Sequence, residues 1–175
     1  VCQVDKEMVE IIDVEQILSE VAPTRQNISS GIVTEDIQEN AKQHHILIVD
    51  DSSVARKQIK RCMEDVGFAT TVLCDGKEAL TYLQNLVADG VDVTDHFSMI
   101  ISDIEMPEMD GYTLTTAIRN DSRLQDLFIL LHTSLSGVFN EAMVKKVGAD
   151  GFLAKFQPDE LARIAIETVA ATEEA

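Results

Sequence analysis

Apolar residues recur along this chain in two alternating rhythms. Residues 46–50, 70–74, 97–102, 128–132 and 151–154 form short apolar runs, several of them β-branched, without a clean polar alternation. Such runs predict strands covered on both faces of a sheet. Between them the apolar positions follow a helical period. Ala55, Ile59, Cys62, Met63 and Val66 make one face of the first such segment, and Arg56, Lys57, Lys60 and Arg61 make the opposite, solvated one. Gly67 is its natural stop. In the second segment Asp75 can cap while Leu80, Leu83, Leu86 and Val87 point inward. Tyr112, Leu114 and Ile118 belong to a third, and a weaker fourth runs around 140–147. A fifth starts at Pro158, with Asp159 and Glu160 in its first turn, where the helix dipole favours acids. Leu161, Ile164, Ala165, Thr168 and Val169 give it an inner stripe.

Strand and helix thus alternate five times, which predicts an α/β fold with a parallel sheet between two layers of helices. Ligands of such sheets sit at the carboxyl ends of the strands. Asp50 and Asp51 end the first run, Asp103 the third, Thr133 the fourth and Lys155 the fifth. Polar groups far apart in sequence therefore converge on one rim.

Residues 1–43 read differently. Residues 8–12 suit a strand, and Val14, Ile17, Leu18 and Val21 follow a capping pattern at Asp13 with helical spacing. One strand and one helix build no core alone. Residues 22–45 are polar, with Pro23 and Gly31, and read as a linker. A short helix over 34–42 has only Ile37 as an apolar anchor. The chain begins at Val1 rather than Met, and we expect it to be a piece of something longer.

The 175 residues suffice for one full domain with a remainder. A net charge of −17 argues against nucleic acid and anionic membranes as partners. No apolar run has the length needed to cross a bilayer, and no signal peptide stands out. Cys62 and Cys74 fall in apolar patterns and read as small core residues in a reducing cytosol. His44 and His45, adjacent on a strand, point to opposite faces and make no metal pair.

Carboxylates gathered at one point call for a hard divalent cation with oxygen ligands, and Mg²⁺ suits a site that also handles phosphate. A carboxylate nucleophile, a metal, an ammonium and a hydroxyl together describe phosphoryl transfer to an aspartate. Asp103 is the candidate nucleophile. Asp50 and Asp51 are the candidate metal holders.

The pair Asp50-Asp51, the stretch DIEMPEMDG over 103–111, Thr133 and Lys155 together resemble the signature of response-regulator receiver domains. The resemblance covers residues 44–171. It implies a flavodoxin-like (βα)5 doubly wound sheet of strand order 2-1-3-4-5. It implies phosphorylation of Asp103 by a histidine kinase, with Asp50, Asp51, Asp103 and the Glu105 carbonyl as Mg²⁺ ligands. Thr133 matches the switch hydroxyl, Lys155 the phosphate-pairing lysine and Phe152 the rotating aromatic. The chain departs from the family at Phe156, where proline commonly follows the lysine, at Phe152, which lacks a hydroxyl, and in the long segment 88–96. Residues 7–21 resemble the last strand and helix of a CheW-like coupling domain. That arrangement divides the chain into a coupling-domain fragment (1–21), a linker (22–43) and a receiver (44–175), as in CheV-type chemotaxis coupling proteins. It implies a CheA-type histidine kinase and chemoreceptors as partners, in the cytoplasm. A stand-alone chemotaxis or transcription-related receiver is an alternative. A haloacid-dehalogenase-like phosphatase is another, which Glu105 and the Asp50-Asp51 pair fit poorly.

Overall fold

The computed structural model describes residues 2–4, 7–9, 28–29, 31–133, 138–155 and 157–173. Near the amino terminus β1 (Cys2–Val4) and β2 (Glu7–Val9) pair antiparallel, Cys2 opposite Val9. The strand expected over 8–12 is thus partly present, and its partner went unforeseen. The helix expected from Val14 to Val21 lies outside the described residues.

From residue 35 the chain runs α1 (Glu35–Ala41), β3 (His45–Val49), α2 (Ser53–Val66), β4 (Ala69–Leu73), α3 (Gly76–Ala88), α4 (Val93–His96), β5 (Met99–Ser102), α5 (Gly111–Arg119), β6 (Ile129–Thr133), α6 (Val138–Val147), β7 (Gly151–Ala154) and α7 (Pro158–Glu173). The five later strands form one parallel sheet in the order β4-β3-β5-β6-β7. Counted from β3 this is 2-1-3-4-5, the order expected of the flavodoxin-like class. β3 carries Ile46, Leu47, Ile48 and Val49 with no exposed surface at all, which is why it shows no alternation. Ile46, Ile48, Met99, Ile101 and Leu130 face one helix layer with Ile59, Met63, Leu161 and Ala165. Leu47, Val49, Ile100, Ile129 and Leu131 face the other with Leu83, Leu114 and Ile118.

Local chemistry sets the helix limits. Ser52 caps α2 by accepting from the Ala55 amide, and Gly67 ends it at φ +116°, a left-handed conformation that costs glycine little. Asp75 caps α3, and Glu78 returns a bond to the Cys74 amide. The long segment before β5 holds the one-turn α4, capped by Asp92. Phe97 is buried as expected, but β5 begins only at Met99. Cys62 is buried; Cys74 is not the core residue expected, because it lies past the end of β4, exposed beside the α3 cap. Leu80, Leu86 and Val87 are only partly buried, and Ala79 and Leu83 carry the inner face of α3.

The segment read as a linker is packed where it is described. Ile28, Ile32, Val33 and Ile37 lie against the core layer of α2 and α7, and Ala41 is 2 % exposed within it. Composition hid this because its apolar residues are spaced irregularly before α1. Their partners, Phe68 and the α7 stripe, are far away in sequence.

Candidate functional site

The carboxyl ends of β3 and β5 are tied directly, since the Asp103 amide donates to the Val49 carbonyl at 2.8 Å. That bond brings Asp103 beside Asp50 and Asp51, which follow β3. Asp50 is fully buried and Asp103 is 4 % exposed, whereas Asp51 faces solvent. Carboxylate oxygens of all three lie within 4.8 Å of one another. Asp50 Oδ1 accepts from the Ser52 amide at 2.9 Å, and Asp103 Oδ1 accepts from the Ile104 amide at 2.7 Å.

Lys155 ends the fifth strand of the sheet. Its amide donates to the Thr133 carbonyl at 2.9 Å, which places Lys155 and the fully buried Thr133 on the same rim. Its Nζ donates to Asp103 Oδ2 at 2.9 Å and lies 3.0 Å from Asp50 Oδ2. The second contact makes a buried ion pair, so one ammonium bridges both carboxylates.

These surroundings set the charges. Burial first, and the neighbouring Asp103 after it, push the Asp50 carboxyl up to about 6 against the pull of Lys155. Burial also raises Asp103, with Lys155 and the Ile104 amide opposing and Asp51 adding to the rise. Burial works against the Lys155 ammonium, but Asp50 and Asp103 outweigh it and hold the group above its ordinary range. One ammonium thus balances an acidic cluster that carries surplus negative charge. A hard divalent cation fits that surplus: the donors are carboxylate oxygens, gathered within 4.8 Å of one another. Asp50, Asp51 and Asp103 are the residues that would hold it. Glu105 stands two residues past Asp103 with an exposed side chain. A second acidic group, Cys74, Asp75 and Glu78, is accounted for by the α3 cap.

The loop after Asp103 returns tightly. The Gly111 amide donates to the Ile104 carbonyl at 2.9 Å, and a Cβ at Gly111 would run into the Asp103 carbonyl oxygen. Only glycine lets α5 start that close to the acid. Asp110 caps α5 by accepting from the Thr113 amide at 2.7 Å. Phe152 is partly buried, packed against the layer of Leu131 and Leu114.

Two residues at the rim do more than the sequence pattern assigned them. Arg56, placed on a solvated face, donates from Nη1 to the carbonyls of Asp50 at 2.6 Å and Asp51 at 2.8 Å, pinning the acidic turn to α2. No spacing in the sequence distinguishes this grip from a solvated guanidinium. His132 is 5 % exposed, and its Nδ1 is buried without a hydrogen bond among the described residues. Burial, and then the Lys155 charge, lower its pKa to about 3. As pH falls below 6.5 the unfolded chain gains a proton here that the folded chain refuses until about 3. His132 therefore removes about 1.4 kcal/mol of stability per pH unit across that window. Asp50 acts oppositely: raised from 3.8 to about 6, it favours folding at low pH and loses that contribution as pH rises through about 6. His132→Leu is expected to remove this loss, so that with Asp50 unopposed stability rises rather than falls as pH drops from 6.5 to about 5. Urea midpoints between pH 6.5 and about 5 check this, and an unchanged slope would exclude His132 as the cause.

The chain belongs to the response regulator receiver domain family, whose match spans residues 46–166. It is 32% identical over 157 residues to the chemotaxis protein CheV3 of Helicobacter pylori, covering 85% of this chain and 47% of that protein. It is 27% identical over 163 residues to CheV1 of the same organism, covering 91% and 48%. The chain thus spans slightly less than half the length of these relatives. Among solved structures it resembles the chemotaxis response regulator CheY4 of Vibrio cholerae, with TM-score 0.60 and 30% identity over 73% of this chain and 98% of that one. The signal receiver domain of a signal transduction histidine kinase from Syntrophus aciditrophicus gives 0.65 and 28%, over 75% and 94%. The chain is therefore a two-component signalling module. Among the described residues no helix is long and apolar enough to cross a membrane.

Proposed function

We propose that Asp103 accepts a phosphoryl group from a histidine kinase, in the receiver of a CheV-type chemotaxis coupling protein. The observation that carries this reading is the Lys155 ammonium held 2.9 Å from Asp103 Oδ2 inside a cluster of acids. A carboxylate oxygen of Asp103 attacks the phosphorus of a phosphohistidine; the new P–O bond replaces the P–N bond, whose electron pair leaves with the imidazole. A divalent ion such as Mg²⁺, held by Asp50, Asp51, Asp103 and the Glu105 carbonyl, supplies neutralising charge to the phosphoryl oxygens when bound. Lys155 stabilises the same oxygens from the other side, and the Thr133 hydroxyl donates to one of them. Phe152 then fills the space that Thr133 leaves, biasing a two-state surface.

The wider assignment rests on the CheV relatives and on the motif at residues 7–21. Residues 1–21 are the end of a CheW-like domain, 22–43 connect it, and 44–175 are the receiver. A CheA-type kinase and chemoreceptors in the cytoplasm are the partners. The chain is a signalling receiver rather than an enzyme that turns over substrate. Incubation with Mg²⁺ and a small phosphodonor is expected to add one phosphoryl mass to the intact chain. No gain, or the same gain in excess chelator, would overturn the reading.

A further inference from the structure

We propose that the face made by α2 and α7 is a docking surface for the chain's own strap, Ile28, Ser29 and residues 31–41, and that the strap is released when Lys155 leaves its pairing with Asp103. This inference rests on Asp103 being the phosphoryl acceptor. The seat is visible. The Ser29 amide and hydroxyl both donate to Asp159, at 2.7 Å to Oδ1 and 2.6 Å to Oδ2. Ile28, Ile32, Val33 and Ile37 pack on the core layer, and Gln38 Nε2 donates to the Asp65 carbonyl at 3.4 Å. α1 borders a groove completed by Phe68, Ile166 and Val169.

What makes the seat state-dependent is where its latch stands. Asp159 lies in the first turn of α7, four residues after Lys155. Cys62 Sγ donates to the Pro158 carbonyl at 3.4 Å, so α2 and the start of α7 form one packed unit with the strap. Lys155 now sits between Asp103 and Asp50 at 2.9 and 3.0 Å. A phosphoryl group on Asp103 extends the acceptor outward, and the ammonium follows it. The start of α7, three residues on at Pro158, takes up that displacement. The Ser29 contact is bidentate, and both oxygens of Asp159 must stay aligned for it to hold, so a modest shift breaks it. Release frees whatever precedes the strap from the receiver. By linkage, phosphorylation and strap docking oppose each other.

Hydrogen exchange of amides in residues 31–41 of the full chain tests this, with Mg²⁺ and acetyl phosphate and with intact mass read on the same samples. Phosphorylated chain is expected to exchange there about fivefold faster, the ratio that loss of one ordinary hydrogen bond produces. Ser29→Ala is expected to show the faster rate without donor and no further change with it. Lys155→Met is expected to show it without donor as well. A gained phosphoryl mass with unchanged exchange overturns the inference and leaves the Asp103 reading standing. A full fivefold response in Ser29→Ala overturns the latch as the conduit. No mass gain overturns the Asp103 reading itself, and the inference falls with it.

Discussion

Asp103→Asn is expected to abolish phosphoryl incorporation completely while leaving the metal-free fold nearly as stable as the parent or more so. The two outcomes have one cause. Asp103 is buried, and its carboxyl is raised because burial outweighs the help of Lys155 and the Ile104 amide. The folded chain therefore gives up stability at neutral pH to keep that carboxylate ionised. An amide of the same shape removes the charge and the nucleophilic oxygen together. Lys155 keeps Asp50 at 3.0 Å, so the ammonium is not left without a counter-charge. Against this stands one imperfect contact. Asn offers one acceptor where Asp offers two, and either the Ile104 amide or Lys155 Nζ then faces a donor. We expect the opposing effects to leave urea midpoints at pH 7 within about 1 kcal/mol of the parent or above it. Intact mass after exposure to phosphodonor should show no gain at all. A persistent single gain would put the acceptor elsewhere, and a large loss of stability would mean that Asp103 serves the fold before it serves chemistry.

The sheet and its rim were legible because the signals are strong and local. The run over 46–49 sits fully buried between two helix layers, and a run of that kind ending in acids has few other homes. Asp50, Asp103, Thr133 and Lys155 converge because parallel strands put all their carboxyl ends on one side. Contacts made between distant polar atoms were not legible. Nothing in the spacing around Arg56 says that its guanidinium grips two carbonyls rather than water. His132 lies inside the run over 128–132 with nothing in the sequence to mark it, and its cost lies in a burial that only packing reveals. The segment before His44 looked like a tether because its composition is polar. Its anchors are a few isoleucines and one serine, whose partner Asp159 stands 130 residues later. Cys74 failed for a simpler reason: a strand ending one residue earlier than expected turns a core position into a surface one.

Lys155→Met is expected to cost the metal-free protein about 3–5 kcal/mol at neutral pH, the usual penalty for removing one partner of a buried ion pair. Methionine fills the volume of the stem, so lost packing adds little. What remains is electrostatic. Asp50 and Asp103 lose the cation that holds both carboxyls down, and each already stands above its ordinary value from burial. Without Lys155 both rise further, and the folded chain at pH 7 must either hold two buried carboxylates or take up protons. The sign of the pH dependence follows. For acids raised in the folded state the stabilising contribution is present at low pH and lost as pH rises through the folded pKa. The deficit of Lys155→Met should therefore be largest above pH 7 and shrink as pH falls through about 6, where Asp50 already begins to protonate in the parent. Mg²⁺ offers a second remedy, because a cation among the same oxygens replaces the lost charge, and binding to the folded state alone adds stability by mass action. Saturating Mg²⁺ should stabilise the variant more than the parent. Urea unfolding on both sides of pH 6, with and without Mg²⁺, measures all three effects. A variant within about 1 kcal/mol of the parent at neutral pH without metal would mean that water reaches these carboxylates and screens them, and the buried charge balance on which the phosphoryl site depends would not hold.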